Sequence, residues 1–433
     1  MSVSSSSSLP SSQLDDVFVV SGGVPLSGTV RVSGAKNSAL KLMAAALLTD
    51  KTVTISELPA IADVSTMADL LRGLDAEVVL DGSRVEIAAR APSWHAPRDA
   101  VTRLRASIAC LGPLVARLGR AQIAFPGGDK IGARTIDLHL KGLEAMGAKV
   151  AATDDEVTVS APHLHGAMIT LDFPSVGATE NLMMAAVLAD GVTEIENAAR
   201  EPEIQDLAQM LVSMGAKISG IGTPTLRITG VAQLEGTDWA TCPDRIEAGT
   251  YAIAAALTGG DVTITNVAPS DLTLPFMKLR AAGVTIIEDV SSVRVTAGRL
   301  NATNVVTLPY PGFPTDLQPQ MMVLLTQALG DSRCTENVFE SRFSFVDELR
   351  LLGADITLDG HHAVIHGPTR LSGATLSGLD IRAGAAGVLA GLVAKGETIV
   401  RDVHHIDRGY AAFVPQLQAL GAKIRRVGLN DAS

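Results

Sequence analysis

GLDAEV at residues 73–78 recurs, lightly varied, as AMGAKV at 145–150, SMGAKI at 213–218, AAGVTI at 281–286, LLGADI at 351–356 and ALGAKI at 419–424. The third residues of these phrases, Asp75, Gly147, Gly215, Gly283, Gly353 and Gly421, stand 72, 68, 68, 70 and 68 positions apart. Six units of about seventy residues therefore account for nearly the whole chain. A second phrase precedes each, an almost wholly apolar stretch: SALKLMAAALL (38–48), SIACLGPLVARL (107–118), NLMMAAVLA (181–189), GTYAIAAAL (249–257), QMMVLLTQAL (320–329) and AGVLAGLVA (386–394).

Within one unit the periods are readable. TVRVSG (29–34) and KTVTISEL (51–58) alternate as strands, while the stretch between them is a helix without a polar face, which must be buried on all sides. From about Asp63 to Leu74 a second helix carries Met67, Leu70, Leu71 and Leu74 on one stripe, so it is half exposed. GLDAEV then ends that helix and opens two short strands, 77–82 and 83–89, joined by a Gly-containing turn. Each unit reads βαβαββ. Three such units can enclose their own buried helices behind an outer layer of sheets, and six make two similar domains. One long solenoid is the alternative, but the repeats lack polar caps. DVFVVSG (16–22) precedes the first unit and the last unit lacks its final strand, so a closed ring would put both chain ends in one domain.

The chain of 433 residues is 47% hydrophobic and only 3% aromatic, with 40 Gly, so its cores are built from small aliphatic side chains and base-stacking nucleic-acid binding is disfavoured. A formal charge of −11 argues against a general polyanion binder but leaves room for a local basic cleft. Cys110, Cys242 and Cys334 are too scattered for a disulfide framework or a CxxC metal site, which suits the cytoplasm. No apolar run is long enough to span a membrane. Residues 1–16 have neither a basic region nor an apolar core and read as a disordered Ser-rich tail rather than a targeting peptide.

The residues that open the buried helices are SGAKN (33–37), RAS (105–107), PSVGATEN (174–181), PDRIEAGT (243–250), FPTDLQ (313–318) and DIRAGA (380–385). Ser, Asp and Thr there are capping residues, yet Lys36, Arg105, Arg245 and Arg382 stand where the helix dipole disfavours cations. Either these cations pair with Asp380, Asp244 and Glu247, or they join the free N–H groups in an anion site. The second crossovers, PGGDKIGAR (126–134), NAAREPEI (197–204), VFESRF (338–343) and HHIDRGY (404–410), add Asp129, Arg134, Arg342 and Arg408. PGGDKIGAR lacks the end of a Walker A loop and suits a mobile lid around 125–135. The His residues of DGHHAVIH (359–366) read as a strand and turn on a sheet surface rather than a metal site.

Taken together, these motifs resemble those of the enolpyruvyl transferases over residues 17–427, on the branch acting on UDP-N-acetylglucosamine at the first committed step of peptidoglycan synthesis. The resemblance implies a pair of inside-out α/β barrels, residues 36–242 forming one domain and residues 17–35 plus 243–433 the other. It implies transfer of enolpyruvyl from phosphoenolpyruvate to the sugar 3-hydroxyl with release of phosphate, in the cytoplasm, with no cofactor or metal. Lys36 and Asn37 resemble phosphoenolpyruvate contacts, with Arg134, Arg382 and Arg408 clamping its phosphate and carboxylate and Arg342 nearby. Arg105, Arg134, Thr135, Ile136, Asp137, Leu138, Ser175, Val176, Asp316 and Val338 match positions that hold the nucleotide sugar, and Asp316 also matches the base for the 3-hydroxyl proton. Lys36 and Arg408 fall among the catalytic positions.

Two departures stand out. Phe173 replaces a Lys common in the family, and Asp129 stands where most members have the Cys that fosfomycin alkylates. A carboxyl raised from its reference pKa can still donate a proton to carbon, so the resemblance implies a drug-resistant enzyme. Two other functions fit the same motifs: enolpyruvyl transfer to another uridine nucleotide, and a silent paralogue that only binds UDP-sugars.

Overall fold

The computed structural model describes residues 16–127 and 136–429. Asp129, Arg134 and Thr135, most of the 125–135 loop and residues 1–15 lie outside the described residues. Among the described residues the strands form five four-stranded sheets of shared order, an edge strand parallel to its neighbour followed by two antiparallel strands, and one three-stranded sheet. In one, Asp238–Ala240 runs parallel to Thr52–Ser56, which pairs with Arg84–Ala88 and through it with Glu77–Asp81. Another joins Met168–Thr170, Val192–Glu196, Thr225–Thr229 and Lys217–Ser219 in the same sense. In the three-stranded sheet of Arg120–Ala124, Glu156–Ser160 and Lys149–Ala152, the parallel position holds only a bridge from His95 to Gln122.

The strand read in DVFVVSG forms as Asp16–Ser21, so Asp16 belongs to it rather than to the tail of residues 1–16, and it lies between Glu397–Arg401 and Lys423–Gly428, antiparallel to both. It fills the place that the last unit leaves empty. One local grouping differs from the sequence reading, because Ser27–Arg31 and the helix Lys36–Ala45 do not share a unit. That strand pairs in parallel with Asp261–Thr265, while Asp238–Ala240 takes the matching place beside Thr52–Ser56. The chain crosses over at residues 33–35 and returns at 242–244, the two passes joined by a Gly34–Pro243 bridge and an Ala35 N–H to Cys242 carbonyl bond of 2.7 Å. Periodicity fixes which segments are strands, but it carries no signal for which of two equivalent sheets a strand joins.

Six helices form the interior: Lys36–Ala45, Leu111–Leu118, Val176–Ala186, Arg245–Leu257, Gln318–Thr326 and Ile381–Gly391. All residues of Arg245–Leu257 are buried, which its lack of a polar face demands. Each fully buried Val, Leu, Ile or Met side chain contributes roughly 1.5–3 kcal/mol, so these helices supply much of the driving force. Their apolar side chains fall into two cores, one drawn from residues 39–234 and the other from 18–32 together with 246–424. The helices approach closely where glycine allows it. A Cβ on Gly112 would lie 2.3 Å from the Asn181 carbonyl oxygen, so Gly112→Ala would force the second and third helices apart. The repeated phrase has a backbone cause as well: Gly147, Gly215, Gly283, Gly353 and Gly421 take φ between 92° and 104°, ending the second helix of their units, and Asp75 takes φ 63° in the first. No helix among the described residues is long and apolar enough to cross a membrane.

Candidate functional site

Four of the six core helices bring their first turns, and the short turns Arg105–Cys110 and Thr315–Leu317 leading into the other two bring their own residues, to one cavity of about 510 Å³, whose wall includes Lys36, Arg105, Val176, Arg245, Asp316 and Arg382. Three starts are capped by their own N-cap residues. Ser175 Oγ accepts from Ala178 N–H at 3.3 Å, Asp244 from Ile246 and Glu247 N–H at 2.8 and 3.0 Å, and Asp380 from Arg382 and Ala383 N–H at 2.7 and 3.0 Å. The second oxygen of Asp244 accepts the Lys36 N–H at 3.1 Å, so one carboxylate serves the first turns of the first and fourth helices. Among the described residues, seven Lys and Arg and five carboxyl groups line the cavity, a local cationic excess in a chain of net charge −11.

The cations are not paired as simple capping logic suggested. Both oxygens of Asp244 and Oδ1 of Asp380 accept backbone N–H groups, Asp380 pairing loosely with Arg342 at 4.0 Å, and Glu247 accepts Ser33 N–H at 2.9 Å. Arg382 instead reaches Asp316 Oδ2 at 3.0 Å, and Arg342 reaches Asp316 Oδ1 at 2.5 Å while donating to Thr315 Oγ1 at 3.1 Å. Burial pushes the Asp316 carboxyl up, but the Arg382 and Arg342 charges outweigh it and hold the group well below the ordinary carboxylate range. Arg245 is held by Glu203 at 3.1 Å. Lys36 Nζ lies 2.7 Å from Asp63 Oδ2, and Arg408 Nε 2.8 Å from Asp63 Oδ1.

Most of the residues singled out from sequence meet here. Lys36, Asn37, Arg105, Asp137, Leu138, Ser175, Val176, Asp316, Val338, Arg342, Arg382 and Arg408 all line the cavity, and Phe173, 41% exposed, lies on its wall. Ile136 is buried in the first core beside this wall. Asp316 sits in the turn Thr315–Leu317 that leads into the fifth core helix, and its carboxylate is taken by guanidiniums rather than by capping N–H groups. The sequence reading missed Asp63, which looked like an ordinary first-turn acid, and His139, which lines the cavity with its ring 2.9 Å from Asn181 Nδ2. Burial lowers His139 to about 4, so it is a neutral ring at physiological pH. Also missed were Glu201 and the loop carrying Leu308, Pro309 and Tyr310. An acid four residues before an apolar helix stripe gives no sign that it will face cations from distant segments.

The described residues hold no group of three or more His, Cys, Asp or Glu placed to bind a metal. What the site offers is helix N–H groups and fixed cations for anions, together with a carboxylate kept ionised among them. Comparison with known proteins agrees with that chemistry. Residues 20–417 match the model of the EPSP synthase (3-phosphoshikimate 1-carboxyvinyltransferase) family. The solved enolpyruvyl transferase NikO from Streptomyces tendae superposes with a TM-score of 0.87 at 27% identity, covering 95% of this chain and 99% of that one. EPSP synthase from Acinetobacter baumannii shares the fold at a TM-score of 0.75 and 17% identity, with the same coverage of both chains. Among curated proteins, UDP-N-acetylglucosamine 1-carboxyvinyltransferase of Nocardia farcinica is 55% identical, covering 96% of this chain and 99% of its own. The protein of that name from Mycobacterium bovis is 54% identical over 95% of this chain and 99% of its own. The chain belongs to the EPSP synthase family of enolpyruvyl transferases, and within it to the UDP-N-acetylglucosamine 1-carboxyvinyltransferases.

Proposed function

We propose that this chain transfers the enolpyruvyl group of phosphoenolpyruvate to the 3-hydroxyl of UDP-N-acetylglucosamine in the cytoplasm, releasing phosphate, at the entry to peptidoglycan synthesis. The observation that carries the reading is an ionised Asp316 set among Arg342, Arg382 and the first turns of four core helices. In the addition step the sugar oxygen bonds to C2 of phosphoenolpyruvate, its proton passes to the Asp316 carboxylate, and C3 takes a proton from an acid. In the elimination step C3 loses a proton, the double bond reforms and the C2–O bond to phosphate breaks. Lys36, Arg382 and Arg408 bind the phosphate and carboxylate, their charges matching the anions. An anion that draws Arg342 or Arg382 away from Asp316 also returns basicity to it.

Arg105, Asp137, Leu138, Ser175 and Val176 form the nucleotide-sugar side of the cavity. The acid is Asp129, on the resemblance of PGGDKIGAR alone. The architecture follows the same reading: six βαβαββ units, three around each core, make two inside-out barrels of residues 36–242 and of 17–35 plus 243–433, with 125–135 as the lid. The strand order shared by the five four-stranded sheets, and matched in part by the three-stranded one, supports it.

Phosphate release from phosphoenolpyruvate in the presence of UDP-N-acetylglucosamine tests the assignment. Release only with a different uridine nucleotide, or nucleotide binding without release, would replace it. For Asp129, fosfomycin should leave the wild type active, whereas Asp129→Cys should turn over and then be alkylated irreversibly, because a thiolate opens an epoxide far faster than a carboxylate does. Mass spectrometry reads the adduct. A wild-type adduct on Asp129, or an active but unmodified Cys variant, would show that the acid lies elsewhere.

A further inference from the structure

Asp63 has no part in the mechanism above, yet it is 3% exposed and lines the cavity. Its place in the first turn of Ala62–Gly73 gives the ordinary explanation, since acids are favoured at helix N-termini. The contacts point elsewhere. Its carboxylate meets side chains: Oδ1 takes Arg408 Nε at 2.8 Å, and Oδ2 takes Lys36 Nζ at 2.7 Å and an Arg408 guanidinium nitrogen at 3.4 Å. Lys36 opens the first core helix of the 39–234 core, whereas Arg408 follows the short helix His404–Asp407 in the half of the chain that builds the other core.

We propose that Asp63 is a positioning residue of the phosphoenolpyruvate site: one buried carboxylate holds two like charges from the two halves of the chain together, so that both meet the same substrate anion. The proposal rests on the functional reading above. Without this carboxylate, Lys36, Arg408 and the neighbouring Arg382 would repel one another in a buried setting. The charged side chains bearing on Lys36 are Asp63, Arg408 and Arg382, from the second helix, the 404–408 turn and the sixth core helix, and Asp244 receives its backbone N–H. Burial is the largest influence and lowers Lys36; Arg408 and Arg382 lower it further, and Asp63 is the charge that opposes them. Asp63 therefore does two things at once. It fixes the separation of two cations, and it keeps the titratable one protonated.

Calorimetric titration of the full chain with phosphoenolpyruvate, repeated from about pH 6 to about pH 10 around the lysine range, separates these roles from simple packing. In the wild type, binding should weaken along one alkaline limb as Lys36 loses its proton. Asp63→Asn should move that limb down by at least about one pH unit and bind about tenfold more weakly near pH 8, recovering as the pH falls. Asp63→Glu, which keeps the charge, should retain the wild-type limb. UDP-N-acetylglucosamine binding within about twofold of wild type, an arbitrary but strict bound for a local effect, would show that the fold is intact. An unmoved limb in Asp63→Asn overturns the proposal, and so does tighter binding, which would make Asp63 a competitor of the substrate anion. If Asp63→Asn does not fold, Arg408→Gln decides: with one repelling charge gone the limb should rise, and a fixed limb overturns the proposal. Absence of any phosphoenolpyruvate binding by the wild type would overturn both this and the functional reading, whereas wild-type turnover with an unmoved limb would overturn this inference alone.

Discussion

Two carboxylates in the same cavity, the buried Asp63 and the partly exposed Asp316, are each gripped by two cations, and the cations differ in kind. Asp316 is held by Arg342 and Arg382, all three within residues 243–433, and neither guanidinium gives up its proton. Asp63 is held by Lys36 and Arg408, one from each half of the chain, and one of these can titrate. For both acids burial raises the pKa and the neighbouring cations lower it further, so both end below their ordinary values. The same local charge thus serves two ends. At Asp316 it stores a base that an arriving anion can release, and at Asp63 it stores a counter-ion that keeps the anion clamp together.

The largest break in this comparison should come from Asp316→Asn. If Asp316 takes the 3-hydroxyl proton, the variant should bind nucleotide sugar normally and lose about two or more decades of kcat, the usual size of general base catalysis. Near-normal turnover would move the base elsewhere. Next in size, Lys36→Ala or Arg408→Ala should raise the phosphoenolpyruvate KM about tenfold or more and change the nucleotide-sugar KM little, because each removes a charge-assisted contact to one substrate. Equal rises in both constants would indicate loss of closure instead.

A third acid sharpens the contrast with a smaller effect. Glu247 is buried and makes no ion pair among the described residues, and burial, with Asp244 adding, pushes it up to about 7. In the unfolded chain it titrates near the ordinary glutamate value of about 4.3, so across this window the folded protein holds the proton more tightly. Folding stability should therefore fall as pH rises from about 5 to about 7, by on the order of 1–2 kcal/mol, and level off above. Glu247→Gln should flatten that slope, seen as a smaller drop in Tm between these pH values, with kcat close to wild type. A variant whose Tm falls with pH as steeply as the wild type would assign the slope to other groups.

The repeat phrase and the apolar helix stretches made the layout legible because both encode backbone demands: a left-handed residue at a helix end and a helix with no face for water. Opening residues such as Lys36, Arg105 and Arg382 were legible for a similar reason, as cations placed against a helix dipole. What the sequence left unread was pairing at a distance. Ser27–Arg31 alternates like any strand whichever sheet it joins, and Asp63 resembles any first-turn acid until Arg408 arrives from the far side of the cleft. Phe173 stood out as a departure, and its place on the cavity wall gives it a surface to present to a substrate.

The strand Asp16–Ser21 carries a consequence for synthesis on the ribosome. Its partners, Glu397–Arg401 and Lys423–Gly428, are made last, Phe18 pairing with Val400 and Arg426. At roughly 5–20 residues per second, the first strand waits some tens of seconds with both hydrogen-bonding edges open, while the 39–234 core can already assemble behind it. Nascent chains should thus pass through a stage in which one half is folded and the other is held open by its own beginning. An apolar VFVV edge displayed for that long is the segment on which a holding chaperone, or a neighbouring nascent chain, would first find purchase.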